Sequence, residues 1–317
     1  MAPTVFWPGL LGLLFLAAGL ATWHRHSRAI PGPGAFGLVA YGPAFVAAAL
    51  AAFAGEHFTA AAGIASIVPK WLPARLFIAY FVGVAHLAAA TSYVSRRYVR
   101  WAAIGLAVMF GSFVLLMDIP GAIARPSPLG WMLAARQATF AMGGLALFAA
   151  ESGDRSPDLS RVLAMIARIW TAIVLVCYGV QHLVHPELAP GVPSPVRTAA
   201  WVPVPALIAY ATGLLLIGFG IAMLVRKYAG AGSAFAGLLM LLLTLILYVP
   251  QFFLAGNAGQ QVEAINFIFD TLLFAGTLFV ISATISGEDA TVISSARTPA
   301  PPSRSRSVSP LTDAGVS

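Results

Sequence analysis

Eight polar side chains stand in stretches that are otherwise too apolar to hold them: His57, His86, Asp118, Arg136, His182, Gln251, Asn266 and Asp270. A polar or ionisable group inside hydrocarbon is costly, so each is a candidate for binding a ligand or, where it titrates, a proton. Asp270 falls about 12 Å into its apolar segment, near the middle of a ~30 Å core. Asn266 lies one turn away at i−4, on the same helical face. Arg136 is about 8 Å into its segment and His86 about 20 Å. His57, Asp118, His182 and Gln251 fall close to segment ends. A carboxylate at the depth of Asp270 must be paired or neutral. When neutral it can donate a hydrogen bond.

Each of these residues also has a plain structural role. His57 and His182 can cap helix ends and bond loop carbonyls, and His86 can pack as a hydrogen-bonded ring. Arg136 can reach the headgroups by snorkelling, and Asp270 can pair with a neighbour to fix helix packing. His182, His185 and Glu187 form a poor metal set, because they lack a histidine pair at i, i+4 and flank Pro186. No metal ligands and no catalytic residues are assigned. Phosphate and dinucleotide motifs are not evident, nor is a serine or cysteine nucleophile constellation.

The elements that must position these residues are membrane spans. Hydrophobic residues make up 59% of the 317 and charged residues only 9%. A soluble domain carries roughly 25% charged residues. The chain therefore reads as an all-α polytopic membrane protein. Nine transmembrane helices are expected, near 4–22, 36–55, 73–94, 101–118, 131–150, 162–183, 202–225, 233–250 and 263–285. The first is read as an uncleaved helix, because Arg25 and Arg28 follow it and no basic residue precedes it.

With the N-terminus outside, the cytoplasmic loops and tail hold Arg25, Arg28, Arg96, Arg97, Arg100, Arg155, Arg161, Arg226, Lys227, Arg297, Arg304 and Arg306, most of the 18 basic residues. That asymmetry places the C-terminus in the cytoplasm. Trp7, Trp71, Trp101, Trp131 and Trp201 suit an interfacial belt. The net charge of +7 is spread through loops and tail, so no nucleic-acid partner is implied. Cys177 is the single cysteine, which excludes an intrachain disulfide and a C-x-x-C pair.

One offset recurs along the chain. Trp71 and Trp201, Pro73 and Pro203, Gly83 and Gly213, Arg96 and Arg226, and Pro120 and Pro250 are each 130 residues apart. His57 matches His182 at 125, which implies five extra residues in the later loop. The reading is one N-terminal helix plus two tandem four-helix bundles in parallel orientation. Its divisions are an N-terminal helix and basic loop (1–34), a first unit (35–150), a linker (151–161), a second unit (162–286) and a disordered tail (287–317). Pro120 and Pro250 are expected to stop the third helix of each unit. Gly83 and Gly213 are expected to let helices approach closely.

The first unit reads Glu56-His57-Phe58, then Val68-Pro69-Lys70-Trp71-Leu72-Pro73, then Gly83-Val84-Ala85-His86-Leu87. It resembles the DoxX-like family of small four-helix bacterial membrane proteins. Arg136-Gln137-Ala138-Thr139-Phe140 and Gly143-Gly144 resemble the ending of that unit. The resemblance covers about 35–150 clearly and 162–285 more faintly. It implies a bacterial cytoplasmic (inner) membrane location and, for some members, a link to thiosulfate:quinone oxidoreduction or membrane oxidoreductase complexes. His86 stands where the family has an in-helix glutamate, and its counterpart is Leu216.

Three functional readings follow. The first is a bundle, not itself catalytic, that binds a partner protein or an apolar ligand. The second is a membrane subunit of a quinone-linked oxidoreductase system, with a membrane or extracytoplasmic redox partner exchanging the electrons and histidines hydrogen-bonding the quinone. The third is a transporter of a small solute or proton, which would use Asp270.

Overall fold

A computed structural model describes the backbone of residues 2–27 and 35–297, with side chains except at 26–36 and 286–297. Arg28 and the tail beyond Arg297, including Arg304 and Arg306, lie outside the described residues. Among the described residues the regular structure is helical, apart from one isolated β-bridge between Leu188 and Arg197 in the long loop of residues 185–204. The helices are α1 (Pro3–Ser27), α2 (Ala35–Val39), α3 (Gly42–Thr59), α4 (Ala61–Ile67), α5 (Arg75–Ser95), α6 (Val99–Phe113), α7 (Ile119–Ala124), α8 (Pro128–Ala150), α9 (Pro157–Val184), α10 (Pro205–Leu224), α11 (Arg226–Leu243), α12 (Val249–Leu254) and α13 (Ala258–Arg297). Helix α13 thus continues past Gly287, where composition alone suggests the start of the tail.

Among the described residues, eight helices are long and apolar enough to cross a membrane, and the molecule is a membrane protein. Helix α3 belongs to that set only together with α4, and the chain bends by 96° between them at Ala60. Trp7, Trp71, Trp101, Trp131 and Trp201 are all exposed, as residues of an aromatic belt would be.

Two helices form the centre. Ala47 to Ala52 of α3 are completely buried, so every face of this helix is covered. Such a helix has no amphipathic stripe, which matches its alanine-rich sequence. It packs on α1, α5 and α13. Helix α13 in turn packs on α3, α8 and α11. Glycine makes the α3–α13 crossing close: a Cβ on Gly276 would fall 2.8 Å from the Gly42 carbonyl oxygen. Gly276→Leu must push the two backbones apart. We expect a loss of about 2 kcal/mol or more in a reversible unfolding titration.

Helix features also recur at the 130-residue offset. Ala74 and Val204 are both left-handed and precede α5 and α10. A π-turn at Val114–Asp118 joins α6 to α7, and another at Thr244–Tyr248 joins α11 to α12. Pro120 and Pro250 therefore do not stop their helices. Proline has no N–H for the carbonyl four residues back and its ring crowds that carbonyl, so the helix widens there and then continues. Gly83 sits where expected, at a tight crossing. A Cβ there would lie 2.8 Å from His57 Cβ, and one on Gly213 would lie 3.2 Å from His182 Cβ.

Candidate functional site

A cavity of about 1240 Å³ opens between α3, α5, α6 and α8 and reaches α13. Its walls are mainly apolar. Along α5 its lining runs from Ile78 to Ser92, about 21 Å of helix at 1.5 Å per residue. Phe81 and Val108 line it and are largely exposed, so the cavity is an open cleft and not an enclosed void.

Six of the eight residues singled out in the sequence line this cleft: His57, His86, Asp118, Arg136, Asn266 and Asp270. They come from α3, α5, the first π-turn, α8 and α13. Arg136 Nη1 donates to Asp270 Oδ2 at 2.6 Å, so the guanidinium turns inward instead of snorkelling to the headgroups. Both side chains are largely buried, at 22% and 17% exposure. Asn266 Nδ2 donates to the Val262 carbonyl on its own helix. His57 Nδ1 lies 2.8 Å from the Phe53 carbonyl oxygen. A carbonyl only accepts, so Nδ1 carries the proton and Nε2 of the neutral ring is an acceptor. The His57 and His86 rings meet edge to face at 5.1 Å. His86 is 2% exposed, and neither of its ring nitrogens has a hydrogen-bond partner, unlike the hydrogen-bonded packing histidine expected.

Glu56 and Gln137, which the sequence reading had only as part of the family resemblance and not as site residues, also line the cleft. Glu56 has a buried Oε1 with no hydrogen-bond partner. The signal was present: a glutamate directly before His57 at the end of an otherwise uncharged apolar helix.

Comparison with protein-family models, curated proteins and solved structures finds no match. The site is therefore read from its own chemistry.

His182 and Gln251 do not line the cleft. They lie later in the chain, where a loop packs into the bundle. His182 is buried, and its Nε2 accepts from the Gly191 N–H at 3.1 Å and lies 3.0 Å from the Gly191 carbonyl oxygen. Residues Ala189 to Ser194 are all buried. Tyr248, the positional counterpart of Asp118, donates its hydroxyl to the Pro190 carbonyl. A Cβ on Gly191 would touch Leu243 at 3.1 Å, which shows how deep the loop sits. Tyr248→Phe removes that anchor at a cost of about 1 kcal/mol. Faster amide exchange at Gly191 and Val192, with α9 unchanged, is the expected signature.

His182, His185 and Glu187, a poor metal set in sequence, are also engaged separately. His182 is tied to Gly191, while the exposed His185 faces Glu187 at 3.3 Å. Among the described residues no group of three metal-binding side chains forms.

A second difference lies lower in the halves. Phe219 and Phe235 stack across α10 and α11 with ring centroids 6.2 Å apart. Their counterparts 130 residues earlier are Ala89 and Gly105, both in the cleft lining. A side chain added at Gly105 would meet nothing within 4 Å. Small residues thus stand at two positions of the cleft lining where the residues 130 later are aromatic and in contact.

Proposed function

We propose that this protein binds a single amphiphile with a long apolar tail in the α5–α6 cleft, its head lying beside His57, His86 and Arg136. The observation that carries the proposal is the contrast between halves: an open cleft of about 1240 Å³ in one and loop and aromatic filling in the other. Burial of a tail supplies affinity at roughly 25 cal/mol per Å² of apolar area, and few convergent polar groups fix the head, as in ligand pockets generally.

The same proposal includes a chain of nine crossings in the bacterial cytoplasmic membrane, N-terminus outside and C-terminus inside. It also includes an origin as two tandem DoxX-like units, of which the first retains the binding function. Matched π-turns, left-handed helix starts and glycine crossings support the duplication. Counting α3 and α4 as one bent span supports nine.

Purification in a mild detergent followed by native mass spectrometry tests the function. One amphiphile per chain, enriched over the bulk lipid extract, is the expected result. Protein with no bound species beyond detergent and randomly sampled lipid would defeat the proposal.

A second reading, a quinone-linked subunit, draws on His57. With Nδ1–H held by Phe53, its Nε2 is placed to accept from a quinol hydroxyl. A redox partner would then exchange the electrons, and the co-purified species would be a prenylated quinone.

A further inference from the structure

The polar lining of the cleft includes three carboxylates, Glu56, Asp118 and Asp270, and one guanidinium, Arg136. Asp270 and Arg136 neutralise one another at 2.6 Å. Glu56 Oε1 and Asp118 Oδ2 are buried and have no hydrogen-bond partner. A buried carboxylate without a cation is held neutral or lowers its energy by acquiring one. His86, almost wholly buried and with both ring nitrogens unpartnered, lies among aromatic rings. Phe53 is 6.0 Å from it and Phe110 is 5.9 Å, centroid to centroid, and both line the cleft. The cleft wall thus carries both aromatic rings and carboxylates, and ammonium groups are attracted by the first through cation–π contact and by the second through charge.

We propose that the cleft selects amphiphiles with a cationic, ammonium-type head, which pairs with Glu56 and Asp118 while the tail lies along α5 and α6. This rests on the amphiphile-binding reading above. An anionic head would meet two carboxylates that have no ion-pair partner and one guanidinium, whose charge Asp270 already balances although its Nε has no hydrogen-bond partner. A neutral carbonyl head would find the carboxylates and the His57 acceptor only when a proton is supplied.

Three probes with the same tail separate the possibilities: dodecyltrimethylammonium, dodecanoate and dodecanol, radiolabelled and titrated onto the full chain in a neutral maltoside detergent. The cation should bind at least tenfold more tightly than either of the others. Glu56→Gln and Asp118→Asn should each weaken the cation at least fivefold and leave dodecanol unchanged, with thermal midpoints confirming folded protein. Equal or tighter binding of dodecanoate, or unchanged cation affinity in both variants, overturns the proposal. If all three probes bind alike and Gly105→Phe abolishes them together, charge selection falls while the cleft reading stands. If none binds to the wild-type chain, both readings fall.

Discussion

Replacing Ala89 and Gly105 together by phenylalanine is expected to empty the protein of its co-purifying amphiphile, with at least a tenfold fall in occupancy. The substitution copies what the chain already does 130 residues later, where Phe219 and Phe235 stack across the matching helices. Both changes lie in the cleft lining, and Gly105 has no neighbour within 4 Å for a side chain to strike. Replacing glycine by phenylalanine in a helix interior is itself favourable by roughly 0.5 kcal/mol. Ala89 is buried, so its larger side chain must enter the cleft or strain the packing; loss of ligand from a double variant that still melts cooperatively separates blocking from unfolding. Native mass spectrometry gives occupancy, and a thermal melt of the same sample gives stability. Full occupancy in a well-folded double variant would mean that the amphiphile is not in the cleft.

The sequence made the helices legible because a bilayer leaves the backbone few alternatives. Apolar runs near the required length mark them directly. It also marked eight polar residues inside apolar stretches, and six of the eight converge on one cleft. Depth along a helix can be estimated from rise per residue, but facing cannot. Arg136 was placed at nearly the right depth for snorkelling, yet it turns to α13 because Asp270 is there.

The bend at Ala60 was illegible because no proline or glycine occupies residues 57–62. Pro120 and Pro250 misled in the other direction: a proline can be absorbed by a π-turn as well as end a helix. The fate of His182 depends on five extra loop residues folding back into the bundle. Their number was readable and their path was not.

The Arg136–Asp270 pair carries the second large effect. It joins α8 to α13 through side chains that are mostly buried. Breaking such a pair from one side strands the remaining charge and typically costs 3–5 kcal/mol, whereas replacing both members by apolar groups can be nearly neutral. Arg136→Leu should therefore destabilise by about 3 kcal/mol, because the short Asp270 side chain cannot reach another cation. Asp270→Leu should cost less, since the long arginine stem can swing its head toward the headgroups. The double replacement should return to within about 1 kcal/mol of the wild type. A double-mutant cycle of unfolding in mixed micelles measures the coupling directly. Additive losses would show that the two charges do not depend on each other. The cycle also bears on the cleft. In Asp270→Leu the guanidinium has swung toward the headgroups, so the preference for a cationic head should be little changed; in Arg136→Leu an uncancelled third carboxylate remains, so a cationic head should bind better and an anionic one less well. In the double variant the two charges vanish together, and the preference set by Glu56 and Asp118 should return.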